Sequence, residues 1–246
     1  MKTVIVIPAR YKSSRYPGKP LVPLLGKPMI LWVAELCAKA VPKSDVYIAT
    51  DDQRIGDVVS NAGFNVVYTS ENALTGTDRV AEFALKVKAD FYINVQGDEP
   101  LIDPQDIINI IEQKRRTPSD IVNGYCCISE DEDVGSVNIP KVIFTEDGRM
   151  IYMSRSAIPG YKTSENKPAS FFKQVCIYAF GPEDLRKYSE FNRKSTLEQS
   201  EDIEILRFLE WGATIRMVKT SPGTYAVDVP SDVDIVEKEL RKIHHA

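Results

Sequence analysis

Short apolar runs alternate with amphipathic segments along the first half of this chain of 246 residues. The runs have the length and β-branched content of buried strands. They are Thr3–Ile7, Val46–Ala49, Val66–Thr69, Phe91–Val95, Val142–Thr145, Val175–Phe180 and Thr214–Val218. Between the early runs, apolar side chains recur with helical spacing, first at Ile55, Val58, Val59 and Ala62 and then at Val80, Phe83, Ala84 and Val87. This alternation predicts an α/β fold, in which helices cover both faces of a mostly parallel central sheet.

Turn and capping residues add two helices to this prediction. Asp103 followed by Pro104 is typical of an N-cap and a first helical position. Ser231-Asp232-Val233-Asp234 resembles a capping box before a last helix. After about residue 120 the pattern becomes richer in strands, which favours an antiparallel addition to one domain over a second independent domain.

Composition excludes several kinds of catalysis. The two histidines, His244 and His245, both lie at the end of the chain, so a Ser-His-Asp triad, a Cys-His dyad and a histidine-bound zinc are not expected. The four cysteines lack metal or redox spacing, and we interpret them as reduced core residues; they are Cys37, Cys126, Cys127 and Cys176. No apolar run reaches about 18 residues and no signal-peptide core is evident, so we expect a cytoplasmic protein without a membrane span.

The first strand leads into a cationic loop. Residues 1–34 contain six lysines and arginines and no acid before Glu35, although the whole chain has a net charge of −4. Loop 8–20 combines Ser, Gly and Pro with several of these cations, a composition that suits backbone and side-chain binding of a phosphate. The alternative is a solvated loop with incidental lysines.

Two carboxylates are predicted at the same edge of the sheet. Asp98 follows the apolar run Phe91–Val95, and Asp228 follows a shorter run near the end of the chain. Carboxylates beside a phosphate repel it unless a divalent ion lies between them, which points to Mg²⁺ held by Asp98, Asp228 and substrate oxygens. An N-cap or turn role for Asp98 is the alternative.

Familiar nucleotide motifs are absent from the sequence. No G-x-G-x-x-G follows the first strand, and no G-x-x-x-x-G-K-[ST] occurs. Lys114-Arg115-Arg116 is typical of a helix C-terminus, and we expect no nucleic-acid partner. With the dinucleotide-binding and P-loop motifs excluded, a basic loop beside aspartates at the ends of strands favours an enzyme that transfers a nucleotidyl group from a nucleoside triphosphate.

A series of short motifs, in order along the chain, resembles the 3-deoxy-manno-octulosonate cytidylyltransferases (CMP-Kdo synthetases). The motifs are Ile7-Pro8-Ala9-Arg10, Ser13–Leu21, Gly26–Ile30, Ala49–Asp52, Gly76-Thr77-Asp78-Arg79, Val95–Pro100, Ser154-Arg155, Ile158-Pro159, Ile177-Tyr178 and Val227-Asp228. The resemblance implies a Rossmann-like nucleotidyltransferase domain over residues 1–246, a homodimer, Mg²⁺, and the conversion of CTP and a sugar acid to CMP-sugar and pyrophosphate. It implies a nucleotide-binding half at about 1–120 and an acceptor-binding and dimerisation half at about 121–246.

The same resemblance implies roles for individual residues. Arg10, Lys19, Asp98 and Asp228 would be catalytic, and the two aspartates would bind the metal. The nucleotide would contact Ala9, Arg10, Ser14, Arg15, Lys19, Gly76, Thr77, Arg79 and Gln96. The sugar acid would contact Arg155, Lys173, Gln174, Tyr178 and Glu204, although a structural ion pair is an equal alternative for Arg155.

The acceptor segments depart from the family pattern at three positions. Gln174 stands where the family usually has histidine, Cys176 where it has glycine, and Ile205 where it has glutamine. Lost or exchanged hydrogen-bonding groups alter which substrate hydroxyls are satisfied. We therefore expect that the nucleotide chemistry is retained and that the acceptor is a modified or different ulosonic acid. The alternatives are a cytidylyltransferase for another acid sugar and a non-catalytic nucleotide-binding homologue.

Overall fold

The computed structural model describes residues 1–12, 16–191, 193–222 and 225–245, and a nine-stranded sheet forms the centre of this part of the chain. The strands, including a separate two-stranded pair (β2 and β3), are β1 Thr3–Ala9, β2 Pro23–Leu24, β3 Lys27–Pro28, β4 Val46–Thr50, β5 Asn65–Tyr68, β6 Phe91–Val95, β7 Ile121–Cys127, β8 Lys141–Phe144, β9 Met150–Ser154, β10 Phe172–Phe180 and β11 Ile215–Lys219. The helices are α1 Met29–Ala40, α2 Gln53–Asn61, α3 Gly76–Lys86, α4 Pro104–Arg116, α5 Pro182–Phe191, α6 Thr196–Glu201, α7 Leu206–Glu210 and α8 Asp232–His245.

The main sheet has the order β11-β7-β10-β6-β1-β4-β5. Strands β6, β1, β4 and β5 run parallel to one another, as the sequence predicts for the first half. Strand β10 lies antiparallel between β6 and β7, while β11 is parallel to β7. The antiparallel addition is therefore joined to the parallel part through one strand, and both parts form a continuous sheet.

Two apolar layers enclose this sheet. Alternate residues of β1 point to opposite faces, so Ile5 and Ile7 pack in a cluster with α1, α2 and α4. Val4 and Val6 pack in a second cluster, which includes side chains from α3, α5 and α7. All seven residues of β1 are buried, as expected for a strand covered on both faces.

Some expectations need correction. Cys37 and Cys126 are buried, as the sequence predicts for core residues. Cys127 and Cys176 are only partly buried, so the prediction that they are core residues is wrong. Lys114, expected at a solvated helix end, is fully buried, and its Nζ donates to the Asp120 carbonyl oxygen at 2.6 Å. The Asp232 carboxylate, expected in a capping box, accepts instead from the preceding backbone N–H groups of Asp228 and Val229.

Candidate active site

A cavity of about 680 Å³ opens at the carboxyl ends of β1 and β6. This volume is within the usual range for a small-molecule site. The cavity is lined from both halves of the chain, since residues that follow β1 and β6 face residues of β10 and of the segment around α6. Twelve predicted site residues line it: Ala9, Arg10, Lys19, Gly76, Arg79, Gln96, Asp98, Arg155, Gln174, Tyr178, Glu204 and Asp228. Ser14 and Arg15 lie outside the described residues.

Lys19 joins the two predicted metal-binding aspartates. Its Nζ lies 2.6 Å from Asp98 Oδ2 and 3.4 Å from Asp228 Oδ1. Burial alone would lower the pKa of Lys19, but the charges and hydrogen bonds of the two aspartates outweigh it and raise that pKa. The ammonium is therefore firmly protonated. The segments that follow β1 and β6 converge here as the sequence predicts, whereas Asp228 lies on a segment that forms no strand.

The backbone around this triad is held by hydrogen bonds. Gly18 precedes the short 3₁₀ turn that carries Lys19 and has a left-handed φ of 73°, a conformation that glycine adopts at little cost. The Asp98 carbonyl oxygen accepts from the Val227 N–H at 3.0 Å, which fixes the segment before Asp228 against the end of β6. These contacts position both carboxylates through the backbone.

The pair of carboxylates fits a hard divalent ion. Both reach one nitrogen atom, so they are close enough to share one cation, and Mg²⁺ commonly takes one or two protein carboxylates together with phosphate oxygens and water. Among the described residues, no group of three or more His, Cys, Asp or Glu side chains is arranged to hold a metal. The remaining ligands would therefore come from substrate and solvent.

Glu99 is a third carboxyl group at this site, and the sequence analysis did not single it out. It lines the cavity with only 5% exposure, and its Oε2 has no hydrogen-bond partner within the described part of the chain. Burial, with repulsion from Asp98, raises the pKa of Glu99 to about 8. Its position next to Asp98 in the sequence was the available signal.

The predicted nucleotide side is built around the start of α3. Thr75 caps this helix by accepting from the Asp78 N–H. A Cβ at Gly76 would lie 3.0 Å from Gln96 Nε2, so a larger residue here would make the Gln96 amide shift. The Arg79 guanidinium is buried beside Asp51 and the Thr69 hydroxyl while still lining the cavity. Thr77, however, is almost fully buried and does not line it.

Glu204 connects the predicted acceptor side to this helix. Its Oε1 accepts from the Gly76 N–H at 3.1 Å, and its Oε2 accepts from the Thr77 N–H at 2.8 Å. Burial raises the pKa of Glu204 even though these hydrogen bonds favour the carboxylate. Glu204 therefore lines the cavity and also positions two residues predicted for the nucleotide.

Two cations predicted for the sugar acid have other partners. The Arg155 guanidinium donates to the carbonyl oxygens of Val137, Glu201 and Asp202, so its contacts are structural, although they are hydrogen bonds to the backbone and not the expected ion pair. Lys173 does not line the cavity, because its ammonium is paired with Glu132. The placement expected for Lys173 is thus corrected.

Sequence reasoning also missed two residues of the acceptor side. Lys194 lines the cavity, and its Nζ lies 2.6 Å from Asp202 Oδ1. Asn123 is fully buried behind the cavity and donates one hydrogen bond each to the carbonyl oxygens of Val175 and Ile177. Neither residue follows a strand in the way that identified Asp98, so only tertiary structure reveals them.

A family profile described as "Cytidylyltransferase" matches residues 4–215. The chain belongs to the cytidylyltransferase family. It is 39% identical to a 3-deoxy-manno-octulosonate cytidylyltransferase of Geobacter metallireducens, and the alignment covers 98% of this chain and 99% of that protein. An 8-amino-3,8-dideoxy-manno-octulosonate cytidylyltransferase of Shewanella piezotolerans is 37% identical, with coverage of 98% and 99%.

A solved structure supports the same family at the level of the fold. CMP:2-keto-3-deoxy-manno-octonic acid synthetase, complexed with CTP, superposes with a TM-score of 0.91 at 37% identity, covering 98% of this chain and 99% of that one. The resemblance to CMP-Kdo synthetases, the Rossmann-like fold class and the assignment as a nucleotidyltransferase enzyme are thereby confirmed. No helix among the described residues is both long enough and apolar enough to cross a bilayer.

Proposed function

We propose that this cytidylyltransferase activates a 3-deoxy-manno-octulosonate-like sugar acid with CTP, giving CMP-sugar and pyrophosphate. The observation that carries the proposal is that Lys19, Asp98 and Asp228 meet in a cavity that Gln174, Tyr178 and Glu204 also line. Cations for a triphosphate and polar groups for a sugar thus face the same cavity. The full-length similarity to enzymes named for this reaction supports the same function.

In the proposed reaction, the anomeric hydroxyl of the sugar acid attacks the α-phosphorus of CTP in line. An oxygen–phosphorus bond forms, the bond to the β-phosphate oxygen breaks, and the hydroxyl proton is released. Such transfers require little covalent chemistry from the protein, so positioning and charge neutralisation supply most of the rate. When bound by Asp98 and Asp228, Mg²⁺ would neutralise phosphate charge and lower the pKa of the attacking hydroxyl.

Lys19 and Arg10 are the cations placed to receive the triphosphate. Lys19 is an ammonium with three donors, two of which bond to the aspartates. Arg10 is exposed at the cavity wall, next to the end of β1. A phosphate entering between them gains charge-assisted hydrogen bonds, and Lys19 then neutralises the charge that develops on departing pyrophosphate.

The proposal also includes a homodimer in the cytoplasm. Support for both comes from the resemblance to the family, while the described residues with large exposed apolar side chains, such as Ile151 and Tyr161, offer surface for a partner.

A steady-state assay tests the proposed function. Pyrophosphate release is measured with CTP, Mg²⁺ and 3-deoxy-manno-octulosonate, its 8-amino analogue and N-acetylneuraminate as separate acceptors. We expect release with CTP and an octulosonate, and much slower release with ATP, GTP or UTP. Release with N-acetylneuraminate alone would indicate another acid sugar, and no release with any acceptor would indicate a non-catalytic nucleotide-binding protein.

A further inference from the structure

A chain of amide groups leads from the buried sheet to the acceptor end of the cavity. Asn123 on β7 is fully buried, and its Nδ2 donates to the Val175 carbonyl oxygen at 3.0 Å and to the Ile177 carbonyl oxygen at 2.9 Å. These carbonyls lie where the register between β10 and β7 shifts. Because carbonyl oxygens only accept, the Asn123 amide has one permitted orientation, with Oδ1 toward Gln174.

The orientation of Asn123 fixes the orientation of Gln174. Gln174 Nε2 lies 3.3 Å from Asn123 Oδ1 and 3.0 Å from the Tyr178 hydroxyl oxygen, so both amide hydrogens are used. A flipped amide would place its oxygen against Asn123 Oδ1, where two acceptors repel. Gln174 therefore has only its Oε1 left for a ligand, and no donor among the described residues contacts that atom.

Glu204 adds further acceptor atoms to the cavity. Its carboxylate takes the backbone N–H groups of Gly76 and Thr77 and a side-chain hydrogen bond from Thr77, which leaves capacity for one more donor. The nearby cations have part of their donor capacity in use, since Arg155 donates to three carbonyl oxygens and Lys194 pairs with Asp202. The acceptor end thus offers lone pairs to a ligand.

We infer that Gln174 is a specificity-determining residue that reads a hydrogen-bond donor on the acceptor sugar, and that an ammonium group is preferred there over a hydroxyl. This inference rests on the proposed function. An ammonium only donates, whereas a hydroxyl also carries lone pairs that need donors. The Gln174 oxygen and the Glu204 carboxylate can both accept from an ammonium, the carboxylate also offsets its charge, and hydrogen bonds from a charged donor are about twice as strong as neutral ones.

The test compares two acceptors that differ at one group, 3-deoxy-manno-octulosonate and its 8-amino-3,8-dideoxy analogue, with CTP and Mg²⁺. For the unaltered enzyme we expect kcat/KM about tenfold higher with the amino sugar. Gln174→Met removes the oxygen at similar volume and should reduce this preference at least fivefold. Tyr178→Phe frees one amide hydrogen of Gln174, so the amide then also presents a donor to the ligand, and the preference should fall as well.

Gln105→Met is the matched control, because Gln105 is exposed at the start of α4 and away from the cavity. It should keep the preference of the unaltered enzyme. Equal or greater kcat/KM with the hydroxyl sugar, or an unchanged ratio in Gln174→Met, overturns the inference. If Gln174→Met fails to fold, the ratios of the unaltered enzyme and of Tyr178→Phe decide. Failure of the proposed function has a separate signature, namely no pyrophosphate with either acceptor.

Discussion

A single lysine between two aspartates defines the chemistry at the scale of residues. Without a substrate, Lys19 neutralises Asp98 and Asp228, whose side chains are 26% and 42% exposed. Removal of either partner would leave charge of one sign in a partly buried site, which is costly. The protein therefore keeps two carboxylates close together in a form that a phosphate and a divalent ion can later occupy.

The Asp98 carboxylate provides a prediction at this scale. Asp98→Asn keeps the size of the side chain but removes one of the two carboxylates proposed to bind the metal, so turnover should fall at least about 100-fold. Binding of CTP should weaken much less, because Arg10 and Lys19 remain. Steady-state kinetics and calorimetric titration with CTP measure the two effects.

The control for this substitution is Asp131→Asn, which changes an exposed aspartate in the loop after β7. It should leave both quantities unchanged. Turnover of Asp98→Asn within a factor of two of the unaltered enzyme would remove Asp98 from the mechanism.

At the scale of elements, a buried arginine joins the α6–α7 segment to α3. Arg207 is fully buried; its guanidinium contacts both oxygens of Glu198, at 2.6 and 2.7 Å, and Asp78 Oδ1 at 3.0 Å. The same guanidinium lies over the Tyr188 ring, 3.7 Å from its centroid. Because Asp78 belongs to α3 and Glu204 lies just before α7, this network aligns the nucleotide and acceptor sides of the cavity.

Arg207→Met should therefore destabilise the fold by about 3–5 kcal/mol, since it leaves the buried Glu198 carboxylate and the partly buried Asp78 carboxylate without their cation. The matched control is Arg186→Met, which removes exposed ion pairs with Glu183 and Glu190 and should cost less than about 1 kcal/mol. Urea unfolding measures both changes. Equal costs for the two substitutions would show that the buried network does not hold the segment.

The elements themselves differ in how well the sequence predicts them. Strands such as Phe91–Val95 are predictable because a buried parallel strand needs a continuous apolar run. Strand β9, with exposed Ile151, and the short helices α6 and α7 were not predicted, since tertiary contacts decide their conformation.

The residues of the candidate site also differ in how well the sequence predicts them. Asp98 and Lys19 are predictable because they follow the buried strands β6 and β1 at one edge of the sheet, whereas the apolar run before Asp228 forms no strand. Arg155 and Lys173 were less predictable, because the partner of a cation depends on carbonyl groups and carboxylates that are distant in the chain. Asn123 gave no signal at all, since its function depends on a register shift in β10.

At the scale of the whole molecule, the cavity joins the two halves of the chain around the proposed cation site. Chelation of divalent ions should abolish pyrophosphate release, and added Mg²⁺ should restore it. CTP with Mg²⁺ should also raise the melting temperature more than CTP alone, because ligands that bind the folded state stabilise it.

Asp228→Asn supplies the control for this effect. It should reduce the part of the stabilisation that depends on Mg²⁺ while retaining much of the part from CTP alone. Full turnover after exhaustive chelation would contradict a role for Mg²⁺ at this site.

Strand β10 has a consequence for engineering. Gln174, Cys176 and Tyr178 line the cavity, while Val175, Ile177 and Ala179, which alternate with them, are buried hydrophobic residues. Tyr178 also belongs to a buried apolar cluster and stacks on Phe180. A library confined to Gln174 and Cys176 would therefore diversify the recognised sugar with the least change to the apolar packing. Such a catalyst could thus be retargeted to synthetic monosaccharides by substitutions in one strand, without changing the residues proposed to bind the triphosphate.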